Sequence, residues 1–175
     1  MEKYKPIIDD WQAFKEEADN HPINAVRKNI LKSGPSFEQR LGEKFKYEEV
    51  EWYSDIYRIQ TESPGKSLLH WRGEYYVQEE SAALPVEVLD PRPGEKVLDM
   101  CAAPGGKTTQ IAAKMNNKGL VVANDESGQR MKSLHANVYR TGSVIVDATN
   151  YDARFLPEET FDRILVDAPC SGEGD

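Results

Sequence analysis

Chemistry in this chain of 175 residues gathers in two short runs and in the acids between them. The first run is Asp99-Met100-Cys101-Ala102-Ala103-Pro104-Gly105-Gly106-Lys107-Thr108, and the second is Asp167-Ala168-Pro169-Cys170-Ser171-Gly172. Adjacent glycines let a backbone approach a ligand closely, and a helix that opens after them presents free N–H groups. Asp125, eighteen residues beyond Lys107, is placed to accept hydrogen bonds from two ribose hydroxyls, as an adenosine-type cofactor requires. Asp147 and Asp152 follow a third apolar run, and Asp167 ends a fourth. An acid, a proline and a thiol directly after a buried strand put polar groups at the mouth of a pocket. That setting favours a functional Cys170 over an inert, buried one.

The elements that hold these residues follow from periodicity. Strands are expected at Lys96–Met100, Leu120–Asp125, Val144–Val146 and Phe161–Asp167. Helices are expected at Lys107–Lys114 and at Gly128–Arg140, where Met131, Leu134 and Val138 form one stripe. Apolar strands alternating with helices imply an α/β, doubly wound parallel sheet covered on both faces, with ligands at the carboxyl ends of its strands. A further helix, Ser81–Leu89 with Pro85 near its start, and a turn at 91–95 lead into it. Gly106-Lys107-Thr108 matches the end of a phosphate-binding P-loop. That motif needs a glycine where Cys101 stands, and the dinucleotide G-x-G-x-x-G spacing is absent, so an NTPase is the weaker alternative.

The chain is expected to divide into residues 1–69 and 70–175. In the first part, Asp10 caps a helix through Trp11, Phe14 and Ala18 that His21-Pro22 stops, and a strand falls within Ile23–Leu31. Ser36 opens a helix through Phe37 and Leu41 with Gln39 at the capping-box position. Val50–Tyr53 and Ile56–Ile59 read as strands joined by a turn. Such a mixture makes a small α+β module. Its basic residues (Arg27, Lys28, Lys32, Arg40, Lys44, Lys46) alternate with glutamates and read as a solvated face rather than a nucleic-acid patch.

Composition bounds the rest. With 22 basic and 30 acidic residues the net charge is −8, which repels a phosphate backbone at long range, so any nucleic acid must be held by a local patch. Two cysteines and three scattered histidines suggest neither a disulfide framework nor a metal site. No apolar run is long enough to span a bilayer and no secretory signal opens the chain, so a cytoplasmic location is expected. Nothing demands an oligomer, and a monomer is expected.

The two runs, with Tyr76-Val77-Gln78-Glu79-Glu80 and Leu84-Pro85 before them, resemble the RNA cytosine-5 methyltransferases of the NOL1/NOP2/Sun family, its archaeal branch nearest. The resemblance covers residues 70–175 well, and the first 70 more loosely resemble that family's RNA-binding module, related to an RNA-recognition motif. It implies a Rossmann-like fold of which four strands are present in the order 3-2-1-4, the fourth at an edge. It also implies S-adenosylmethionine (SAM) as methyl donor and tRNA or rRNA as substrate, with no metal. On that reading Cys101, Ala102, Ala103, Pro104, Gly105, Gly106 and Lys107 surround the methionine moiety of SAM. Asp125 holds the ribose with Arg130 nearby, Asp152 lies by the adenine, and Asp167 stands between cofactor and target base. Lys107, Asp167 and Cys170 fall at the catalytic centre. Cys170 serves product release rather than attack, because the family's nucleophilic cysteine belongs to a later Thr-Cys motif. The sequence ends at Asp175 before such a motif. An incomplete enzyme with weak SAM binding and no turnover is therefore expected, or alternatively a non-catalytic SAM- or RNA-binding remnant.

Overall fold

A computed structural model describes residues 2–18 and 24–169. After a 3-10 turn at Glu2–Ile7, α1 (Trp11–Ala18) is capped by Asp10, whose Oδ1 accepts the Ala13 N–H at 2.9 Å. The expected stop at His21-Pro22 lies outside the described residues, as does Cys170. β1 (Ala25–Lys28) falls inside the stretch expected for a strand. α2 (Phe37–Lys44) follows Ser36, but no capping box forms. Ser36 has φ −99° and ψ 23° rather than extended geometry, its hydroxyl accepts from Arg40, and Gln39 pairs forward with Glu43 at 3.0 Å.

β2 is Tyr47–Glu49 and β3 is Ile56–Ile59, so the first strand of this hairpin lies three residues before the Val50–Tyr53 run expected for it. Val50 to Ile56 is instead a turn with hydrogen bonds from Tyr53 N–H to Val50 O and from Ile56 N–H to Tyr53 O. The aromatic pair Trp52–Tyr53 stacks on the turn, and Trp52 donates to Glu80 at 2.9 Å. A strand-like composition is thus used to pack a loop.

α3 (Leu68–Trp71), capped by Ser67, leads to β4 (Tyr75–Val77). β4 pairs antiparallel with β1, Val26 opposite Val77 and Lys28 opposite Tyr75, completing a sheet of order β2-β3-β1-β4. The first sheet therefore extends past the division expected at residue 69/70. Its core is Val26, Phe37, Leu41, Tyr57, Ile59, Leu69 and Tyr75. Arg27 points away from the solvated face expected for it and is 4% exposed.

A 3-10 turn at Ser81–Ala83 precedes α4 (Leu84–Leu89), with Pro85 in its first turn where a missing N–H costs little. The alternating half then follows: β5 (Lys96–Asp99), α5 (Gly106–Lys114), β6 (Leu120–Asn124), α6 (Gly128–Thr141), β7 (Val146–Thr149) and β8 (Arg163–Leu165). All four strands are parallel in the order β7-β6-β5-β8, which is the 3-2-1-4 arrangement. β7 starts two residues later than expected, because Asn117 Oδ1 takes the Val144 N–H at 3.1 Å before the strand begins. β8 is shorter than expected, since Phe161 packs under Lys96 and Asp162 accepts the Lys96 N–H at 2.7 Å.

Among the described residues, covering helices lie on one face of the parallel sheet, while Leu98 is buried on the other. Val86, Ile111 and Met115 pack with Val97, Val121 and Leu165, and Met131 and Leu134 pack with Ala123, so α4, α5 and α6 share one face. Alternate strand positions point the other way, where Ile164 is 50% exposed. The β7–β8 connection carries only a 3-10 turn at Ala153–Phe155 and no helix.

Candidate cofactor site

The first strand of the parallel sheet, β5, ends at Asp99, and the chain turns back over the strand ends. Ala102 N–H donates to Asn124 O and Gly105 N–H to Ala102 O, each at 2.7 Å. Gly105 holds φ +108°, and a Cβ there would stand 3.1 Å from Leu134 Cδ1, so this turn needs glycine. α5 opens at Gly106 with no side chain capping its first N–H groups. A ligand oxygen can take that place.

Asp125, just beyond β6, is 2% exposed. Its carboxylate accepts the Ala103 N–H at 3.1 Å and the Ser127 N–H at 3.0 Å, and Arg130 Nη1 lies 3.4 Å away. Arg130 also donates to the Ala103 carbonyl. Asp125 and Arg130 together brace the turn at Ala103. Asn124 does the same from β6, donating to Met100 O and Tyr151 O and accepting from Thr149 and Tyr151.

Two cavities flank this turn. One of about 210 Å³ is lined by Met100, Cys101, Asp125, Arg130, Asp152 and Arg154 among others. The other, of about 230 Å³, is lined by Cys101 to Pro104, Gly106, Lys107 and Asp167, and by Tyr76 and Gln78 from the first sheet. Cys101 borders both. The predicted site residues within the described part line one or other cavity at the carboxyl ends of β5, β6, β7 and β8, except Gly105, which shapes the turn between them. Cys170 lies outside the described residues.

Charge within the rim is uneven. Lys107 Nζ stands 2.6 Å from Asp167, so the lysine that a P-loop would aim at phosphate is already paired with an acid. Asp152 is clamped by Arg154, whose hydrogen bonds hold it down at about 2. The Cys101 thiol is pushed up by burial and by Asp125, which keeps it protonated and a poor nucleophile. Asp99 is 1% exposed, accepts from Thr108 Oγ1 at 2.7 Å, and its Oδ1 has no partner. Burial raises its pKa to about 6, Thr108 and Lys107 oppose the rise, and Asp167 adds to it.

Sequence reasoning placed Asp99 in the motif but gave it no role, although it ends its strand as Asp167 ends another. Tyr76, Gln78 and Asn124 were also missed as wall residues. Tyr76 and Gln78 stand in a motif of the family resemblance, but their place in the wall comes from the other sheet and was not legible from periodicity. SAM carries a sulfonium and an ammonium, a carboxylate and two ribose hydroxyls. Those groups suit an unpartnered buried acid, an uncapped helix start, and carboxylates at Asp125 and Asp152. Among the described residues, no cluster of three metal-ligating side chains occurs, and no helix is long and apolar enough to cross a membrane.

Known proteins share this arrangement. Residues 86–175 match the family model for 16S rRNA methyltransferase RsmB/F, and residues 1–80 match the N-terminal domain of 16S rRNA methyltransferase RsmF. The ribosomal RNA small subunit methyltransferase F of Shewanella loihica is 42% identical over 163 residues, covering 86% of this chain and 34% of its own length. That of Psychromonas ingrahamii is 46% identical with the same coverage. The chain spans about a third of the length of these curated relatives. Among solved structures, PH0851 is 37% identical with a TM-score of 0.88, over 97% of this chain and 40% of that one. NSun6 from Pyrococcus horikoshii with SFG, a SAM analogue, is 21% identical with a TM-score of 0.84, over 97% of this chain and 69% of that one, and shows the shared fold. The family is one of SAM-dependent methyltransferases. With four parallel strands in 3-2-1-4 order, the glycine turn in place and both family models matched, the chain belongs to the RsmB/F family of 16S rRNA methyltransferases.

Proposed function

We propose that this chain carries the cofactor half of an enzyme that methylates C5 of a cytosine in 16S rRNA. The observation that carries the reading is the pair of cavities meeting at Cys101, the first lined by Asp125 and Asp152 and the second by Lys107 and Asp167. Bound there, SAM supplies an electrophilic methyl group. Asp125 and Asp152 accept from its ribose and adenine, and the start of α5 receives its carboxylate. Lys107 and Asp167 line the second cavity, where the target base enters once it leaves its stack.

C5 of cytosine is a weak nucleophile until a thiolate adds to C6, and a residue near N3 that donates a proton assists that addition. Asp167 would have to be a neutral, buried acid to fill that role; its side chain is instead half exposed and ion-paired with Lys107, so Lys107 is the member of the pair that carries a proton there. Cys170 follows Asp167 closely enough in sequence to serve the release of the methylated base. The first sheet, with α2 and α3, forms an RNA-holding module. A single copy of the chain suffices for these roles.

Deleting the coding sequence from its source organism and mapping 16S rRNA by bisulfite sequencing tests the reading. One cytosine that resists conversion in the parent should become convertible in the deletion strain, and return when the gene is restored. An unchanged bisulfite map would overturn the proposal.

A further inference from the structure

Arg27 is the buried cation of the first sheet, and all of its hydrogen bonds go to neutral acceptors. Nη1 donates to the Gly106 carbonyl at 2.8 Å, to Gln110 Oε1 at 3.2 Å and to Gln78 Oε1, and Nη2 donates to Thr109 Oγ1 at 2.9 Å. The guanidinium lies 5.4 Å from the Tyr76 ring centre. Among the described residues no carboxylate comes within ion-pair distance of it. Asp55 and Glu87 offset its charge only from beyond ion-pair distance, burial lowers its pKa to about 10, and a cation beside the first turn of a helix opposes the helix dipole. Packing alone would be served better by an apolar side chain of the same size.

What Arg27 touches explains its position. Gly106, Thr109 and Gln110 are the first turns of α5, directly after the glycine turn. Gly106, Gln78 and Tyr76 all line the second cavity. Asn137 of α6 also joins the two at this turn, donating to Tyr76 Oη at 3.3 Å and to Pro104 O at 2.9 Å, whereas Asn29 Nδ2 donates to Gly73 O and Thr141 O, and Lys32 and Arg140 meet near the end of α6. Arg27 is the one among these that reaches from the first sheet to the start of α5.

We propose that Arg27 is a positioning residue for the SAM site, so that the N-terminal module completes the cofactor pocket as well as holding RNA. Its planar fork fixes the Gly106 carbonyl and with it the orientation of the free N–H groups at the start of α5. The buried charge adds to the positive potential there and favours the cofactor carboxylate.

This inference rests on the proposed SAM site, and two readouts separate them. Hydrogen exchange of the unliganded protein follows the amides of residues 101–108, and calorimetry follows SAM binding. The variants are Arg27→Met, Arg27→Lys and, as a control that cuts a different tie, Asn29→Ala. Arg27→Met should speed exchange across 101–108 and weaken SAM at least tenfold, with Arg27→Lys showing a smaller change in the same direction. Asn29→Ala should lower the melting temperature yet leave both readouts at the parent value. If Arg27→Met does not fold, the folded Arg27→Lys protein decides. Parent-like exchange and affinity in the Arg27 variants overturn the inference, as does an equal effect of Asn29→Ala. A folded parent that binds no SAM refutes the proposed cofactor site instead, and the exchange data still judge Arg27.

Discussion

Replacing Asp99 by Asn removes one buried negative charge and little else. Asn keeps an acceptor oxygen for Thr108. Burial lifts the Asp99 pKa from 3.8 to about 6 in the folded chain. Between those values the folded state binds a proton that the unfolded state has lost, so the contribution of Asp99 to stability falls as pH rises from about 4 to about 6 and is flat above. A shift of roughly two units corresponds to about 3 kcal/mol. Urea unfolding of parent and Asp99→Asn at intervals from pH 4 to pH 8 measures it. The parent should lose about 3 kcal/mol relative to the variant across that window, leaving the variant the more stable protein at neutral pH. A difference between the two that stays constant from pH 4 to pH 7 would refute the reasoning. One that grows in the parent's favour would show instead that Asp99 is an ion-paired acid.

Two further outcomes bear on the same rim. Lys107→Met removes a cation that holds the Asp99 pKa down, so the transition in the same pH series should move upward; an unmoved midpoint would place Lys107 out of electrostatic reach. Gly105→Ala forces an alanine to φ +108° and a methyl group to 3.1 Å from Leu134, costing about 2 kcal/mol in urea unfolding. A cost near zero would show that the turn relaxes out of the left-handed region.

The parallel half was legible in the sequence because each strand is a compact apolar run ending in glycine or acid, and each helix carries one apolar stripe. The rim followed from the same rule, since ligands gather at strand ends and Asp125, Asp152 and Asp167 stand beyond β6, β7 and β8. Where reading failed, tertiary contacts had overridden local pattern. Trp52 and Tyr53 look like strand residues but pack on a turn held by Glu80, and Tyr75–Val77, for which no strand was expected, finds its partner in β1 some fifty residues earlier. Arg27 sits among lysines and glutamates that do face solvent, and only the approach of α5 to β1 reveals it as buried. Asp99 hid in plain view: its residue type was visible, while the missing partner of its Oδ1 is a property of the packed fold.

The measurement that bears most directly on the central claim is calorimetric titration of SAM into this chain and into Asp125→Ala. One saturable site in the parent is expected, with loss of at least tenfold in affinity in the variant, because Asp125 both faces the first cavity and ties down the Ala103 turn. A folded parent that shows no heat of binding, or an Asp125→Ala protein that binds SAM as tightly as the parent, would contradict the account.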